Sequence, residues 1–231
     1  MKTFLFADFD NTLMATEQYA VPSLIARFNA LYGGQISHPL TFEEFKKHFH
    51  GQAREVLCEN LSKHFGITVD CPLLYELREE RMMEHLRQVE GGIPMASHVV
   101  EVLTALAARG VVLSFVSNNP IQRAMAAMRY AGNGQGDALA GLFGTRWFEA
   151  GGVQKPKPDV YLRAMEQVGA AASQSFAVED SVSGAKAALA AGLTTYAFTG
   201  FSDTASGEAL VKLGCKAAFN DWRELPALLT P

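Results

Sequence analysis

Two aspartates, Asp8 and Asp10, stand two apart directly after the apolar run Phe4-Leu5-Phe6, within the stretch Phe6-Ala-Asp-Phe-Asp-Asn-Thr-Leu13. The run reads as a buried first strand that breaks into polar residues at its end. In an open α/β sheet, ligands bind outside the carboxyl ends of the strands. An Asp-x-Asp pair placed there can hold a divalent cation and offer a carboxylate nucleophile beside a general acid. Three more polar clusters fall at the ends of other expected strands. Ser117-Asn118-Asn119 follows a run closing at Val116, Lys155-Pro-Lys-Pro-Asp159 follows a short strand around Trp147-Phe148, and Glu179-Asp180-Ser181 follows Ser175 to Val178. Four such clusters on one edge of one sheet are hard to read as ordinary loop chemistry.

The elements that must position these residues show in the apolar rhythm. Past Leu13 the spacing is helical: Val21, Leu24, Ile25, Phe28 and Leu31, then Phe42, Phe45 and Phe49, then Val56, Leu57, Leu61 and Phe65. Leu73, Leu74, Leu77, Leu86 and Val89 suggest a longer helix, and Gly91-Gly92-Ile93-Pro94 ends the segment as a plausible hinge. After it, helices alternate with short strands. Val99 to Leu106, Ile121 to Met128, Pro158 to Val168 and Val182 to Ala191 read as helices; Val111 to Val116 and Thr194 to Phe198 join the strands. That alternation implies βαβ units and a parallel sheet. The expected fold is a Rossmann-like α/β core, residues 1–14 and 93–231, with an inserted α-helical domain at 15–92. Gly132-Asn-Gly-Gln-Gly136 lacks the context of a phosphate loop and reads as a flexible surface loop.

The chain has 231 residues, 48% hydrophobic, with a net charge of −4. No basic face or polybasic run suggests nucleic acid or an anionic membrane, and the short apolar opening is neither a signal peptide nor a span. Cys58, Cys71 and Cys215 are sparse and odd in number, which points to reduced thiols and a cytoplasmic protein. His38, His48, His50, His64, His85 and His98 show no metal-site spacing and are expected at the surface or in packing.

In order, Asp8-x-Asp10-x-Thr12, Ser117 after an apolar strand, Lys155 in Lys-Pro-x-Pro, and Glu179-Asp180 resemble the four motifs of the haloacid dehalogenase-type phosphatase superfamily. The stretch from Glu179 to Gly192 looks like the subgroup of phosphoglycolate phosphatase and β-phosphoglucomutase, which carries a helical cap between its first two motifs. The resemblance covers nearly the whole chain. It implies that Asp8 attacks phosphorus and that Asp10 serves as acid and base. Ser117 and the Asn118 N–H bind phosphoryl oxygens, with Thr12 also on the substrate side, and Lys155 neutralises charge beside Asp8. Mg²⁺ is implied as cofactor, held by Asp8, the Asp10 carbonyl and Asp180, with Glu179 assisting. Lys157 competes for the lysine role, but the motif starts at Lys155. Asn119 reads as a turn or cap residue.

The departures narrow the activity. Asn11 stands where the family usually has Gly, and Asn tolerates unusual backbone angles. Ala15 replaces a common Asp before Thr16-Glu17. Dehalogenases proper lack an acid/base Asp at the position of Asp10, which argues against dehalogenation. Mutases carry a His at the position of Ala20, so the expectation is a phosphatase, with a β-phosphoglucomutase-like mutase as the alternative. The segment Phe49-His-Gly-Gln-Ala-Arg-Glu55 resembles the cap's specificity loop, where Arg54 could pair with a carboxylate or second phosphate or simply open a helix. The expected partner is a small phosphorylated metabolite, and the chain a monomer or homodimer.

Overall fold

The computed structural model describes residues 2–49, 52 and 54–229. Its first strand, β1 (Phe4–Ala7), is buried at every position. A strand with no polar face must be covered on both sides, and β1 accordingly lies in the middle of a six-stranded sheet of order β3-β2-β1-β4-β5-β6. Every neighbouring pair is parallel, with Phe4 to Ala7 in register with Val112 to Phe115 on one side and Ser175 to Val178 on the other. One side comprises β2 (Val112–Ser117) and β3 (Trp147–Glu149); the other comprises β4 (Ser175–Glu179), β5 (Thr194–Phe198) and β6 (Ala218–Phe219). The strand order reverses at β1, which makes its carboxyl end the switch point where an open sheet forms a crevice.

Two compact units are present, Met1–Thr16 with Val89–Pro231, and Glu17–Gln88. The second contains the helices α1 (Glu17–Tyr32), α2 (Phe42–His48), α3 (Arg54–Phe65), α4 (Cys71–Tyr75) and α5 (Arg78–Arg87). In the first, α6 (Val99–Ala108) precedes β2, α7 (Ile121–Arg129) and α8 (Gly136–Phe143) lie between β2 and β3, and α9 (Asp159–Val168) leads to β4. Then α10 (Val182–Ala190), α11 (Thr204–Leu213) and α12 (Leu225–Leu228) follow β4, β5 and β6. Helix α9 buries Val160, Tyr161, Ala164 and Met165 along one face, against Phe4 and Phe6 of β1 and Val116 of β2. Each large apolar side chain buried this way contributes about 1.5–3 kcal/mol.

The Gly132–Gly136 stretch is a surface loop, as expected, exposed from Gly132 to Gln135; its two end glycines are tightly placed, since a Cβ on Gly136 would lie 1.7 Å from the Met128 carbonyl oxygen and one on Gly132 would lie 2.2 Å from that of Gly91. Two expectations need correction. The helix expected through Leu73 and Val89 breaks at Leu77, whose φ of 52° is left-handed, so α4 and α5 are separate. Cys58 and Cys71 are joined in a disulfide, because the connection between α3 and α4 turns back and brings their Cα atoms to 5.6 Å. Only Cys215 is a free thiol, buried and pushed up to about 11 by desolvation and by Glu179. The cysteines therefore lend no support to a cytoplasmic placement. Among the described residues, no helix is long and apolar enough to cross a membrane. Within the expected specificity loop, His50, Gly51 and Ala53 lie outside the described residues.

Candidate active site

Sheet pairing continues one residue past β1, where the Asp8 N–H donates to the Val178 carbonyl at 3.0 Å. The backbone ladder thereby fixes Asp8 at the strand end, only 7% exposed. The chain then turns tightly, with the N–H groups of Thr12, Leu13 and Met14 all donating to the Phe9 carbonyl. Asn11 takes the left-handed conformation this turn requires, at φ 56°, as its tolerance of such angles led one to expect.

The Asp8 carboxylate accepts from Lys155 Nζ at 2.7 Å and from the Thr12 hydroxyl at 3.2 Å. Lys155 also donates to Glu179 Oε1 at 2.6 Å and to the Val116 carbonyl at 3.2 Å. Its backbone N–H donates to the Asn118 side chain at 2.8 Å, which ties the loop after β3 to the loop after β2. Lys157, by contrast, is exposed. Thr12, expected on the substrate side, is fully buried and donates its hydroxyl to Asp8.

Asp10 is held by three donors. Thr16 bonds one oxygen at 2.5 Å, while Asn119 Nδ2 at 2.8 Å and the Ser117 hydroxyl at 3.3 Å reach the other. Asn119 also donates its backbone N–H to the Ser117 hydroxyl at 2.9 Å. Asn119 is thus a site residue as well as a turn residue. Thr16 and Tyr161 were likewise missed: Tyr161 donates its hydroxyl to Glu179 Oε1 at 2.5 Å. Sequence gives one faint signal for Tyr161, a hydroxyl on an otherwise apolar helix stripe a few residues past Lys155.

Glu179 is completely buried, and its Oε2 has no hydrogen-bond partner. The carboxylate lies so close to the first turn of α10 that a Cβ on Gly184 would sit 1.9 Å from Oε2; only glycine fits there. One ligand oxygen each from Asp8, Glu179 and Asp180 lies within 4.8 Å of the others, forming the one candidate metal-holding group among the described residues. Burial pushes the Asp8 carboxyl up to about 8; Lys155 opposes this, while Glu179 and Asp10 reinforce it. Lys155 moves above the ordinary lysine range: burial favours its neutral form, but Asp8 and Glu179 outweigh that. Asp8 and Glu179 thus share the one buried ammonium of Lys155, with Asp180 close enough to join them in holding a cation. Arg54 belongs to the other unit, where it opens α3 and lies 4.5 Å over the Tyr75 ring.

A model of the haloacid dehalogenase-like hydrolase family matches residues 1–192. The chain belongs to that family. A segment of 43 residues is 49% identical to the plasmid-encoded protein CbbY of Cupriavidus necator, spanning 19% of this chain and 17% of that protein. A hydrolase of this superfamily from Deinococcus radiodurans, solved with bound phosphate and sodium, is 26% identical with a TM-score of 0.72 over 98% of this chain and 94% of that one. A mutant CbbY from Rhodobacter sphaeroides, solved with xylulose-(1,5)bisphosphate, shares the fold at 20% identity and a TM-score of 0.75, covering 97% and 96% of the two chains. The parallel sheet, the family and hydrolase chemistry therefore stand together.

Proposed function

We propose that this hydrolase is a Mg²⁺-dependent phosphatase acting on a small phosphorylated metabolite, a sugar phosphate or phospho-sugar-acid. The observation that carries the reading is Asp8, set 2.7 Å from Lys155 Nζ beside Glu179 and Asp180 at the switch point. Asp8 attacks phosphorus, and the bond to the leaving oxygen breaks as the aspartyl-phosphate forms. Asp10 gives that oxygen its proton, then takes one from the water that hydrolyses the intermediate. The hydroxyl of Ser117 and the N–H of Asn118 hold phosphoryl oxygens, and Lys155 offsets the charge of two meeting anions.

The residues present fit a hard divalent cation. Every donor they offer is oxygen, and the buried Glu179 Oε2 lacks any other partner. Asp8, the Asp10 carbonyl and Asp180 would hold it, with Glu179 alongside. When bound, Mg²⁺ supplies the missing positive charge and polarises the phosphoryl oxygens. In support, the Deinococcus relative was solved with phosphate, and the Rhodobacter CbbY with a sugar bisphosphate. The test is phosphate release from a panel of phosphorylated metabolites, with Mg²⁺ and with chelator. Metal-dependent release from a few related compounds is the expected result. No release from any of them by folded protein overturns it, and conversion of a sugar 1-phosphate to its isomer favours the mutase.

A further inference from the structure

The turn that carries Asp10 and Thr12 is braced from the other end of the chain. Trp222 opens the 3-10 turn Trp222–Glu224, and its indole Nε1–H donates to the Thr12 carbonyl at 3.3 Å, across a sequence separation of 210. Its backbone N–H donates to the Ser97 carbonyl at 3.4 Å. Trp222 and Thr12 are both completely buried. One residue thus ties the turn after β1 to the segment that leads into α6.

The indole is firmly mounted. Its ring lies 6.0 Å from that of Phe198, at the end of β5, and 5.9 Å from that of Phe219 in β6, so the sheet sets its position. Asp221 and Glu224 close a capping box around the 3-10 turn: Asp221 Oδ1 accepts from the Arg223 N–H at 2.9 Å, and Glu224 Oε1 accepts from the Asp221 N–H at 3.0 Å. The turn after β1 is bonded mostly within itself. Three of its N–H groups go to the Phe9 carbonyl, and the Asn11 N–H goes to the Met14 carbonyl at 2.7 Å. Its Thr12 carbonyl instead takes a donor from outside, the indole. A buried carbonyl left without a donor costs the desolvation of that group, so without the indole the Thr12 peptide would turn towards another partner. It cannot turn alone. The Thr12 hydroxyl is bonded to Asp8 at 3.2 Å, and Asp10 bridges to Met14 across the same turn.

We infer that Trp222 is a positioning residue for phosphoryl transfer, an inference that rests on the phosphatase reading. It acts through Thr12, fixing that peptide and with it the directions of Asp8 and Asp10. Nucleophile and acid/base group must both reach the phosphoryl group, and a misplacement of about 1 Å can cost on the order of 10²-fold in rate.

Two variants separate positioning from packing. Trp222→Phe keeps an aromatic ring and removes the donor; Phe219→Leu loosens the same aromatic cluster and keeps the donor. Amide exchange is measured on both and on wild type, together with Mg²⁺-dependent phosphate release from the compound that the metabolite panel identifies. Trp222→Phe should speed exchange at Thr12, Leu13 and Met14 by roughly 2- to 10-fold, the worth of one hydrogen bond. It should lower kcat at least as much and leave KM within about twofold, which places the loss in the transition state. Phe219→Leu should lower the thermal midpoint and leave the turn and kcat as in wild type. Equal losses in the two variants, or a loosened turn with normal kcat, overturn the inference and leave Trp222 a packing residue. If Trp222→Phe does not fold, benzothienylalanine at position 222 keeps the shape of the indole without its N–H and takes its place. Exchange is read without turnover, so the two failures are distinct: wild type that releases no phosphate overturns the phosphatase reading, and wild-type exchange in the Trp222 variant overturns the positioning role.

Discussion

Lys155 and Arg81 are both basic side chains with buried nitrogens, and they are held in opposite ways. Lys155 Nζ has three partners, Asp8, Glu179 and the Val116 carbonyl, each at or just beyond a strand end. Those partners are fixed by the ladder itself: Val116 is in register with Phe148, and Glu179 with Ala197. Arg81 sits on a helix face, and its buried Nη1 has none. In the sheet, moving one group would mean moving a hydrogen-bonded strand. On the helices, a single substitution changes one group and leaves its neighbours alone. The buried cation of the sheet is thus anchored by the ladder, whereas Arg81 is held by helix packing alone.

The sharpest break of this comparison is Asp8→Asn. Losing the nucleophile should lower kcat by at least about 10⁴-fold, while the thermal midpoint stays nearly unchanged, because Asn can still accept from Lys155 and Thr12. Normal turnover by this variant would remove Asp8 from its role. Lys155→Met should cut deeper into the fold. It leaves the buried Asp8 and Glu179 carboxyl groups without their shared ammonium, and losing one partner of a buried ionic network costs about 3–5 kcal/mol. Denaturant unfolding at neutral pH measures it.

The same contrast decides what could be read in advance. Asp8, Asp10, Ser117, Lys155, Glu179 and Asp180 were legible because strand ends announce themselves: an apolar run stops and a polar cluster follows. Their convergence needed only the rule that parallel strands open on one edge. Thr16, Asn119 and Tyr161 were not legible, since each acts through a side-chain bond whose partner lies in another element or beyond a turn. Thr12 was visible, but its bond to Asp8 was not. In the helical unit, apolar stripes located the helices, yet the break at Leu77 and the pairing of Cys58 with Cys71 depend on how helices turn back on each other, which periodicity does not encode. Arg27 and Arg81, 54 positions apart, share a cavity for the same reason.

Within the helical unit the covalent link should carry more than any single polar contact. The bond between Cys58 and Cys71 spans a sequence separation of 13, and closing a loop of that size limits the unfolded chain by about 3 kcal/mol. Cys58→Ser should therefore speed amide exchange throughout α3 and α4 and leave the amides of β1 and β4 as they were. Uniform loss of protection across both units would mean that they unfold as one.

The smallest effect expected tests the same unit by pH. Nε2 of His38 and Nε2 of His64 lie 3.1 and 2.8 Å from one oxygen of Glu44, and the cluster is partly open to solvent. Burial raises the Glu44 carboxyl, but the hydrogen bonds to His38 and His64 and the charge of His38 outweigh it, so the group is held below its usual value. A carboxyl held low in the folded state stabilises above its unfolded value of about 4.3, and that stability goes as pH falls through the folded value. Partly exposed pairs of this kind contribute about 0.2–1 kcal/mol each. Glu44→Gln should therefore cost the helical unit a small amount at neutral pH and flatten its loss of stability below about pH 4. The amides of α2 and α3 should report the change while those flanking Asp8 do not. An equal slope in wild type and variant would show that the two imidazoles hold Glu44 no better than water does, and that this part of the unit, unlike the carboxylate centre, has no electrostatic design of its own.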